Sequence, residues 1–316
     1  MRLMEFRRIY IAAAVAFLVC AAGVIAFKGL NLGNDFTGGS ILERGIPGER
    51  VSIEEVREAL RAPDVAELGV YDATIQRIDD GTHAGENVFL LRTGELTIDE
   101  INRIDAALAA AFGDVDVRQN EVTGPTIGAE LVRNSLWALV LAGVGMLIYL
   151  SFRFEWRFGL AAVIGVLFTA ATVFGILALL GREIKQWFIA AILTVIGYSI
   201  NDTIVIFDRI RENLAFRQKE SLVSLVNRSV RQVLPRSVNT SVTTLFAISA
   251  LYIFGGATLR DFSLTMMLGV IIGTLASIFL ASSVWIALRE PVDRISRRLV
   301  HETARENERD GNALDG

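Results

Sequence analysis

The sequence has few of the residues that build metal sites and disulfides, and it lacks a phosphate-loop motif. Its 316 residues include one cysteine, Cys20, and two histidines, His83 and His301. A single thiol cannot form an internal disulfide, and the two histidines lie far apart in polar sequence, so we predict no metal site. No G-x-x-x-x-G-K-[ST] phosphate loop occurs, so ATP hydrolysis at a site of that kind is not expected. A net charge of −4 gives no indication of a nucleic-acid partner. We therefore expect neither an enzyme nor a bound cofactor.

Charged residues are also scarce, whereas apolar runs are long. Hydrophobic residues make up 52% of the chain and charged residues 21%. A helix needs about 20 apolar residues to cross a bilayer core of about 30 Å. Six segments meet this requirement: Ile9–Phe27, Asn134–Phe152, Phe158–Gly181, Trp187–Phe207, Ser237–Leu259 and Phe262–Leu288. We predict an α-helical integral membrane protein with six transmembrane helices.

Basic residues predict the orientation of these spans, because Lys and Arg collect in cytoplasmic segments. Four segments at or between the spans are basic: Arg2, Arg7 and Arg8; Arg153 and Arg157; the loop 209–236; and Arg289, Arg294, Arg297 and Arg298. Alternation puts all four in the cytoplasm, together with both termini. The segment from Gly29 to Glu130 carries 8 Arg and 20 Asp or Glu, and therefore belongs outside. This pattern is typical of a multi-pass protein of the bacterial inner (plasma) membrane.

A cleaved signal peptide is the alternative interpretation of the first apolar run. The run Ile9–Phe27 is about 19 residues long, whereas a signal core usually has 7–15. Cleavage would also leave five spans and move one basic segment to the wrong side of the membrane. We therefore favour a retained first span.

The chain then divides into four parts. Residues 1–28 are the cytoplasmic N-terminus and the first span, and residues 29–130 form an extracytoplasmic domain. Residues 131–288 contain the other five spans. The cytoplasmic loop 209–236 lies among them, and its segment Glu220–Leu234 is expected to form an amphipathic helix on the membrane surface. Residues 289–316 form a cytoplasmic tail.

The extracytoplasmic domain has the pattern of an α/β unit. Four stretches have the pattern of strands: Ser40–Arg44, Asp72–Ile78, Asn87–Arg92 and Val115–Val122. Two helices are predicted, one after a capping box at Ser52 and one after a cap at Thr97. The order β-α-β-β-α-β predicts a ferredoxin-like fold. Because that fold supports many activities, it does not by itself indicate a function.

One acidic residue lies inside a predicted span. Asp202 is about 9 Å from the cytoplasmic end of the fourth span at 1.5 Å per residue. A carboxylate near the centre of a span costs about 2.5–3.5 kcal/mol, so such residues usually face the bundle interior and are functional. Tyr198 lies one turn before Asp202, and Asn201 directly precedes it. We predict that Asp202 takes up and releases a transported proton.

The start of the fifth span carries a complementary polar face. Arg236 could neutralise Asp202 or exchange partners as the proton comes and goes, and nearby polar side chains could hold water and relay protons: Asn239, Thr240 and Thr243. The alternative is structural. Asp202 would make a buried hydrogen bond, Arg236 would extend to the membrane surface, and the hydroxyls would join helices. Gly269, Gly273 and Ser277 in the sixth span predict close helix packing.

Several runs resemble known sequences. G-L-N-L-G-N-D-F-T-G-G at Gly29–Gly39 resembles the motif that follows the first span in the SecD/SecF family, and here Asp35, Gly38 and Gly39 are its motif residues. G-P-T-I-G at Gly124–Gly128 is similar to the family's motif before the second span. Ile196–Asn213 and the runs from Arg236 and from Phe254 are similar to its fourth, fifth and sixth spans.

The resemblance implies a protein-export function. In that family, which is related to the resistance–nodulation–division transporters, the residues matching Asp202 and Arg236 take part in proton passage. The implied partners are SecD, the SecYEG channel, the SecA motor and the preprotein. Two positions depart from the family pattern: Asn34 replaces an aliphatic residue, and Pro235 directly precedes Arg236. Pro is tolerated in the first turn of a helix, so we expect the fifth span to begin near Pro235.

Three functions remain open from sequence. The first is coupling of proton movement across the plasma membrane to late steps of preprotein translocation. The second is half of a proton-driven exporter of small amphipathic solutes, although one outer domain of about 100 residues is small for a substrate tunnel. The third is a scaffold that uses no energy, which the buried carboxylate disfavours.

Overall fold

The computed structural model describes residues 3–48, 51–78, 86–217 and 220–290. The histidines His83 and His301, the residues Arg2 and Lys219, and all of the tail from 291 onward lie outside this part of the chain. The chain forms two compact units. The β unit comprises Asn31–Ala138 and Glu183–Ile189, and the membrane unit comprises the segment up to Leu30, Leu139–Arg182 and the chain from Ala190. We had not expected the short segment Glu183–Ile189 to belong with the β unit.

The β unit contains a four-stranded antiparallel sheet in the order β2-β3-β1-β4. Its strands are β1 (Gly39–Pro47), β2 (Thr74–Ile78), β3 (Glu86–Thr93) and β4 (Asp116–Thr123). Its helices are α2 (Asn34–Thr37), α3 (Ile53–Ala59), α4 (Pro63–Ala66) and α5 (Ile98–Phe112), together with a 3₁₀ turn at Val70–Asp72. Apolar side chains of the sheet and of α3 and α5 form one buried core, which includes Leu42, Phe89, Val56 and Ile104. The predicted strands and helices are confirmed to within a few residues at each end.

A capping box begins each of the two main helices of the β unit. The backbone N–H of Ser52 donates to Glu55 at 2.7 Å, and the backbone N–H of Thr97 donates to Glu100 at 2.6 Å. Each cap hydroxyl in turn accepts from the backbone N–H of that Glu. These bonds satisfy N–H groups that the first turn of a helix leaves unpaired.

The same hydrogen bonds predict an acid sensitivity of the β unit. Bonds from Ser52 and Thr97 lower the pKa of Glu55 and of Glu100 below their usual values. A carboxylate whose pKa is lower in the folded state stabilises the fold at neutral pH, and this contribution is lost as pH falls through the folded pKa. Hydrogen exchange of α3 and α5 amides, corrected for intrinsic rates, should therefore accelerate below about pH 4. Glu55→Gln with Glu100→Gln should weaken that dependence; an unchanged profile would contradict the explanation.

Within the part of the chain that the structure describes, six helices are long and apolar enough to cross a membrane. They are α1 (Arg7–Lys28), α6 (Pro125–Arg153), α7 (Trp156–Leu179), α8 (Gln186–Ala215), α9 (Leu222–Phe254) and α10 (Gly256–Leu275). The last continues through a π-helical turn at Ala276–Ala281, and the sixth span extends to Glu290. The chain is therefore a multi-pass membrane protein, as the apolar runs predicted.

The fifth span differs from its prediction. We expected a separate surface helix at Glu220–Leu234 and a span beginning near Pro235, but α9 is one helix of 33 residues with Pro235 inside it. Leu225, Val226 and Val230 are fully buried in the core of the membrane unit, against Phe207 and other residues. The apolar stripe that suggested membrane-surface binding is thus a protein-packing face. Since α8 also continues to Ala215, the predicted cytoplasmic loop 209–236 is mostly helical.

Small residues let α10 approach α8 closely, as their spacing predicted. A Cβ added at Gly269 would lie 2.2 Å from Cγ2 of Val195, and one added at Gly273 would lie 3.0 Å from Cβ of Ser199. In this part of the membrane unit only small side chains fit between the two helices.

Candidate functional site

Asp202 is buried within the membrane unit. It lies in α8, and only 8% of its surface is exposed. One carboxylate oxygen, Oδ1, accepts a hydrogen bond from the hydroxyl of Ser237 on α9. The other oxygen, Oδ2, is buried and has no hydrogen-bond partner among the described residues. A buried carboxylate that is only half satisfied is costly, which is typical of functional sites rather than structural ones.

The helical period of α9 brings Ser237 to this position. Ser237, Ser241 and Ile248 are buried and lie on one face of α9, at spacings of four and seven residues. The hydroxyls of Ser241 and Thr274 on α10 lie 2.7 Å apart, and the Tyr198 hydroxyl donates to Ser241 at 3.4 Å. Tyr198, which the sequence predicted as a site residue, is thus linked to this face through Ser241 and not through Asp202.

A second group of hydroxyls adjoins Asp202 along α8. The Thr203 hydroxyl lies 2.7 Å from that of Ser277, and the Ser277 hydroxyl donates to the backbone oxygen of Ser199 at 3.1 Å. Ser277 lies in the π-helical turn of the sixth span. Such turns are frequent at functional sites because they change the direction in which side chains point. All three residues are buried.

The remaining predicted site residues lie apart from this buried group. Arg236 is exposed in the single chain and makes no ion pair with Asp202 within 4.0 Å. Four other predicted polar residues are likewise exposed: Asn201, Asn239, Thr240 and Thr243. Thr240 and Thr243 donate hydrogen bonds to backbone oxygens of their own helix.

The structure places Ser237, and not Arg236, in hydrogen-bond contact with Asp202. The sequence prediction did not include the buried hydroxyl residues around this site: Ser237, Ser241, Thr274, Ser199, Thr203 and Ser277. The helical spacing of α9 contains one signal. Val230, Ser237, Ser241 and Ile248 follow one another at intervals of seven, four and seven residues and form one buried face. Arg236, Asn239 and Thr243 fall on the neighbouring face. Serine was overlooked because it is small and often serves to join helices.

The motif residues after the first span lie in the β unit. Asp35 accepts a hydrogen bond from the backbone N–H of Gln186 at 2.6 Å. Gly38 and Gly39 have φ angles of 72° and 125°, and a Cβ at Gly39 would lie 2.6 Å from the backbone oxygen of Thr93. Only glycine fits both the backbone angle and the close approach. Asn34 is buried, with its Nδ2 unpaired among the described residues, which explains why an aliphatic residue could occupy this position.

This arrangement can bind and release a proton. Uptake of a proton by Asp202 would remove a buried negative charge, and Ser237 can donate to the ionised carboxylate. Hydroxyls both donate and accept, so the linked hydroxyls of Tyr198, Ser241 and Thr274 can hold water or pass protons.

Loss of the Ser237 hydroxyl should weaken this site. Among the described residues, Ser237→Ala leaves both carboxylate oxygens of Asp202 without a donor. Hydrogen bonds to charged groups contribute about 1.5–3 kcal/mol. We expect proton passage in membranes containing the full complex to slow by about tenfold or more. Ser283→Ala, which removes a buried hydroxyl bonded to Phe279 of its own helix, is the matched control and should have little effect. Equal effects of the two variants would exclude a specific role for Ser237.

Comparisons with known proteins identify the family. The family profile described as "Protein export membrane protein SecD/SecF, C-terminal" matches residues 103–291, and the "SecD/SecF GG Motif" profile matches residues 23–43. The protein translocase subunit SecF of Sebaldella termitidis is 38% identical over 290 residues, covering 92% of both chains. That of Desulfurispirillum indicum is 39% identical over 287 residues, covering 87% of this chain and 88% of the relative.

A solved structure is also similar. The crystal structure of SecDF from Thermus thermophilus, described as a translocon-associated membrane protein, matches with a TM-score of 0.78 and 37% identity. The match covers 92% of this chain but 39% of that longer one. With a profile over more than half of its length and full-length relatives above 30% identity, the chain belongs to the SecD/SecF family of protein-export membrane proteins.

Proposed function

We propose that this chain is an auxiliary subunit of the Sec translocase that couples proton movement across the plasma membrane to late steps of preprotein translocation. The observation that carries the proposal is the buried, half-satisfied carboxylate of Asp202 in a membrane-spanning helix. The name of a relative that matches over nearly the whole chain, protein translocase subunit SecF, supports the first half of the proposal, and the chemistry of Asp202 supports the second.

The physical driving force is the changing charge of one buried group. An ionised Asp202 favours a state of the helices in which water or a cation reaches it, whereas a protonated Asp202 favours a closed state. Each elementary charge that crosses 100 mV contributes about 2.3 kcal/mol. Entry of a proton from one side and its release to the other can therefore bias a two-state rearrangement.

An exposed polar face supports the need for a membrane partner. Asn201, Arg236, Asn239, Thr240 and Thr243 are exposed in the single chain, on spans α8 and α9. Facing lipid would be costly for an arginine and two amides, so another protein must cover them. We propose SecD as that protein, with Arg236 exchanging partners at the interface. The further partners proposed are the SecYEG channel, the SecA motor and the preprotein.

We also infer a ferredoxin-like fold for the β unit, an extracytoplasmic position for it, and cytoplasmic termini. The fold assignment is supported by the β-α-β-β-α-β order of its main elements and by the strand order β2-β3-β1-β4. The position is supported by the distribution of basic residues along the chain. Protons act as the coupling ion, and no other cofactor is proposed.

The proposal is tested by export from vesicles that contain the full complex with its partners. A pH gradient imposed without changing the sodium gradient should stimulate completion of preprotein export, and a protonophore should remove the stimulation. A sodium gradient alone should not stimulate export. Stimulation that survives the protonophore would instead support a scaffold, and solute-dependent growth with normal export would support a small-solute exporter.

A further inference from the structure

The first residues of α8 are held by the β unit through several independent contacts. We name two segments here: the anchor segment, Glu183–Gln186, which leads into α8, and the motif loop, Asn31–Asp35, which follows the first span. Both segments belong to the β unit. The helix that begins at Gln186 continues without a break to Ala215 and carries Asp202.

The backbones of the two segments are hydrogen-bonded to each other. The N–H of Ile184 donates to the oxygen of Asn31 at 2.8 Å, and the N–H of Gly33 donates to the oxygen of Ile184 at 2.8 Å. Leu32 and Ile184 form a parallel β-bridge. This pairing fixes the register of the anchor segment against the motif loop.

Close packing reinforces the pairing. A Cβ added at Gly33 would lie 2.8 Å from Cγ of Lys185 and 3.1 Å from the backbone oxygen of Ile184, so any larger residue would push the two segments apart. The second glycine motif meets the chain directly after the motif loop: a Cβ at Gly128 would lie 3.0 Å from the backbone oxygen of Phe36. The glycines therefore permit backbone contacts between segments that are distant in sequence.

Asp35 connects the motif loop directly to α8. Its Oδ2 accepts a hydrogen bond at 2.6 Å from the N–H of Gln186, the first residue of the helix. The first N–H groups of a helix lack partners within the helix, and a negative charge there is favoured by the helix dipole. The carboxylate thus caps the helix from another part of the chain.

Two ion pairs join the anchor segment to the sheet. Arg92 on β3 contacts Glu183 at 2.5 Å, with side chains 23% and 16% exposed, and Lys185 contacts Glu121 on β4 at 3.4 Å. Neighbouring strands of the sheet are hydrogen-bonded to one another, so the two pairs connect the anchor segment to a rigid element. Partly buried pairs are less screened by salt than exposed ones.

We propose that the anchor segment is a coupling joint that transmits displacement between the sheet of the β unit and α8, and hence Asp202. This inference rests on the proposed function, because it assigns the joint the task of turning proton passage into work on the β unit. An α-helix with intact backbone hydrogen bonds moves as a stiff element, so a shift of its first turn is carried along its length. Arg92, Glu183 and Asp35 act as positioning residues, since none of them touches the proton site.

Charge reversal across the Arg92–Glu183 pair tests the joint. Export and proton flux are measured together in vesicles with the full complex, for wild type, Arg92→Glu, Glu183→Arg and the double variant. Each single reversal should lower export per proton by about fivefold or more, the lower end of typical coupling between sites, while proton flux persists. The double variant should restore export, because it rebuilds the pair with the charges exchanged.

The control is Arg61→Glu, which reverses one partner of an exposed pair with Glu58 in the same unit and should leave export unchanged. Three results would each overturn the joint. Both single reversals could show normal export, the double variant could fail to restore export, or proton flux could be lost together with export. Asp202→Asn in the same vesicles separates this result from failure of the proposed function. If Asp202→Asn keeps its flux, proton coupling through Asp202 is wrong whatever the reversals show.

A disulfide provides a second test of the joint if a charge-reversal variant fails to assemble. Bridged residues on neighbouring strands are about 5 Å apart, within disulfide geometry. Leu32→Cys with Ile184→Cys, in a Cys20→Ser chain, would lock the two segments together. A joint that moves as one piece should retain export after oxidation. Loss of export on oxidation, with recovery on reduction, would show that the segments separate in the cycle and would overturn the joint.

Discussion

Replacing Asp202 with asparagine is expected to reduce proton-stimulated export to the level of membranes that lack the chain. Asparagine has a similar size and can still accept the hydrogen bond from Ser237, so the helices should keep their packing. It cannot lose a proton, however, so the charge change that drives the rearrangement disappears. The measurement is completion of preprotein export with and without a pH gradient, combined with recovery of the assembled complex from the membrane.

Asp208→Asn is the matched control on the same helix. Asp208 is partly exposed and lies 3.5 Å from Arg153 and 3.6 Å from Arg211, so it behaves as an ordinary ion-pair residue at the end of the span. Exposed pairs of this kind contribute about 0–1 kcal/mol, and export should change little. A similar loss in both variants would mean that negative charge on α8, rather than proton exchange at Asp202, is what matters.

Adding one methyl group at Gly269 is expected to prevent stable assembly of the membrane unit. The Cβ of Gly269→Ala would lie 2.2 Å, 2.6 Å and 2.9 Å from three side-chain atoms of Val195, which is branched and cannot move away easily. Overpacking of this kind typically costs about 1–3 kcal/mol, and more where a backbone must shift. We expect a large fall in the amount of folded chain in membranes and in its thermal stability after detergent extraction.

A size exchange provides the control for this effect. Val195→Ala in the Gly269→Ala chain removes both Cγ atoms, which make the two closest clashes, and should restore most of the folded chain. Gly143→Ala on α6, where an added Cβ meets nothing within 4 Å, should be tolerated. If Gly143→Ala were as harmful as Gly269→Ala, or if Val195→Ala gave no recovery, the clash between α8 and α10 would not be the cause.

Features with a strong local signal could be predicted from the sequence. Long uncharged runs gave six spans, because a helix is the simple way for a chain to satisfy its backbone in lipid. The caps at Ser52 and Thr97 marked where two helices begin, since both include the glutamate that completes a capping box. Alternating apolar residues gave the four strands, and the acid at position 202 stood out because charge inside a span is rare.

Features set by packing between distant segments could not be predicted in this way. Pro235 suggested a helix start, yet α9 runs through it because Leu225 and Val230 before it are buried in the same core as residues of other helices. Helix periodicity alone did not fix which face of α9 meets Asp202, and a rotation by one residue exchanges Arg236 for Ser237. The hold of the motif loop on the anchor segment joins residues about 150 positions apart, for which the sequence offers no local pattern.

The most direct test observes the Asp202 carboxyl itself. Infrared difference spectra of vesicles with the full complex, recorded before and after a pH gradient is imposed, report the carbonyl stretch of a protonated carboxyl group. The account predicts a band that changes with the gradient in wild type, persists in Asp208→Asn and is absent in Asp202→Asn. A band that stays in Asp202→Asn, or no band at all while export is being stimulated, would contradict proton uptake at Asp202.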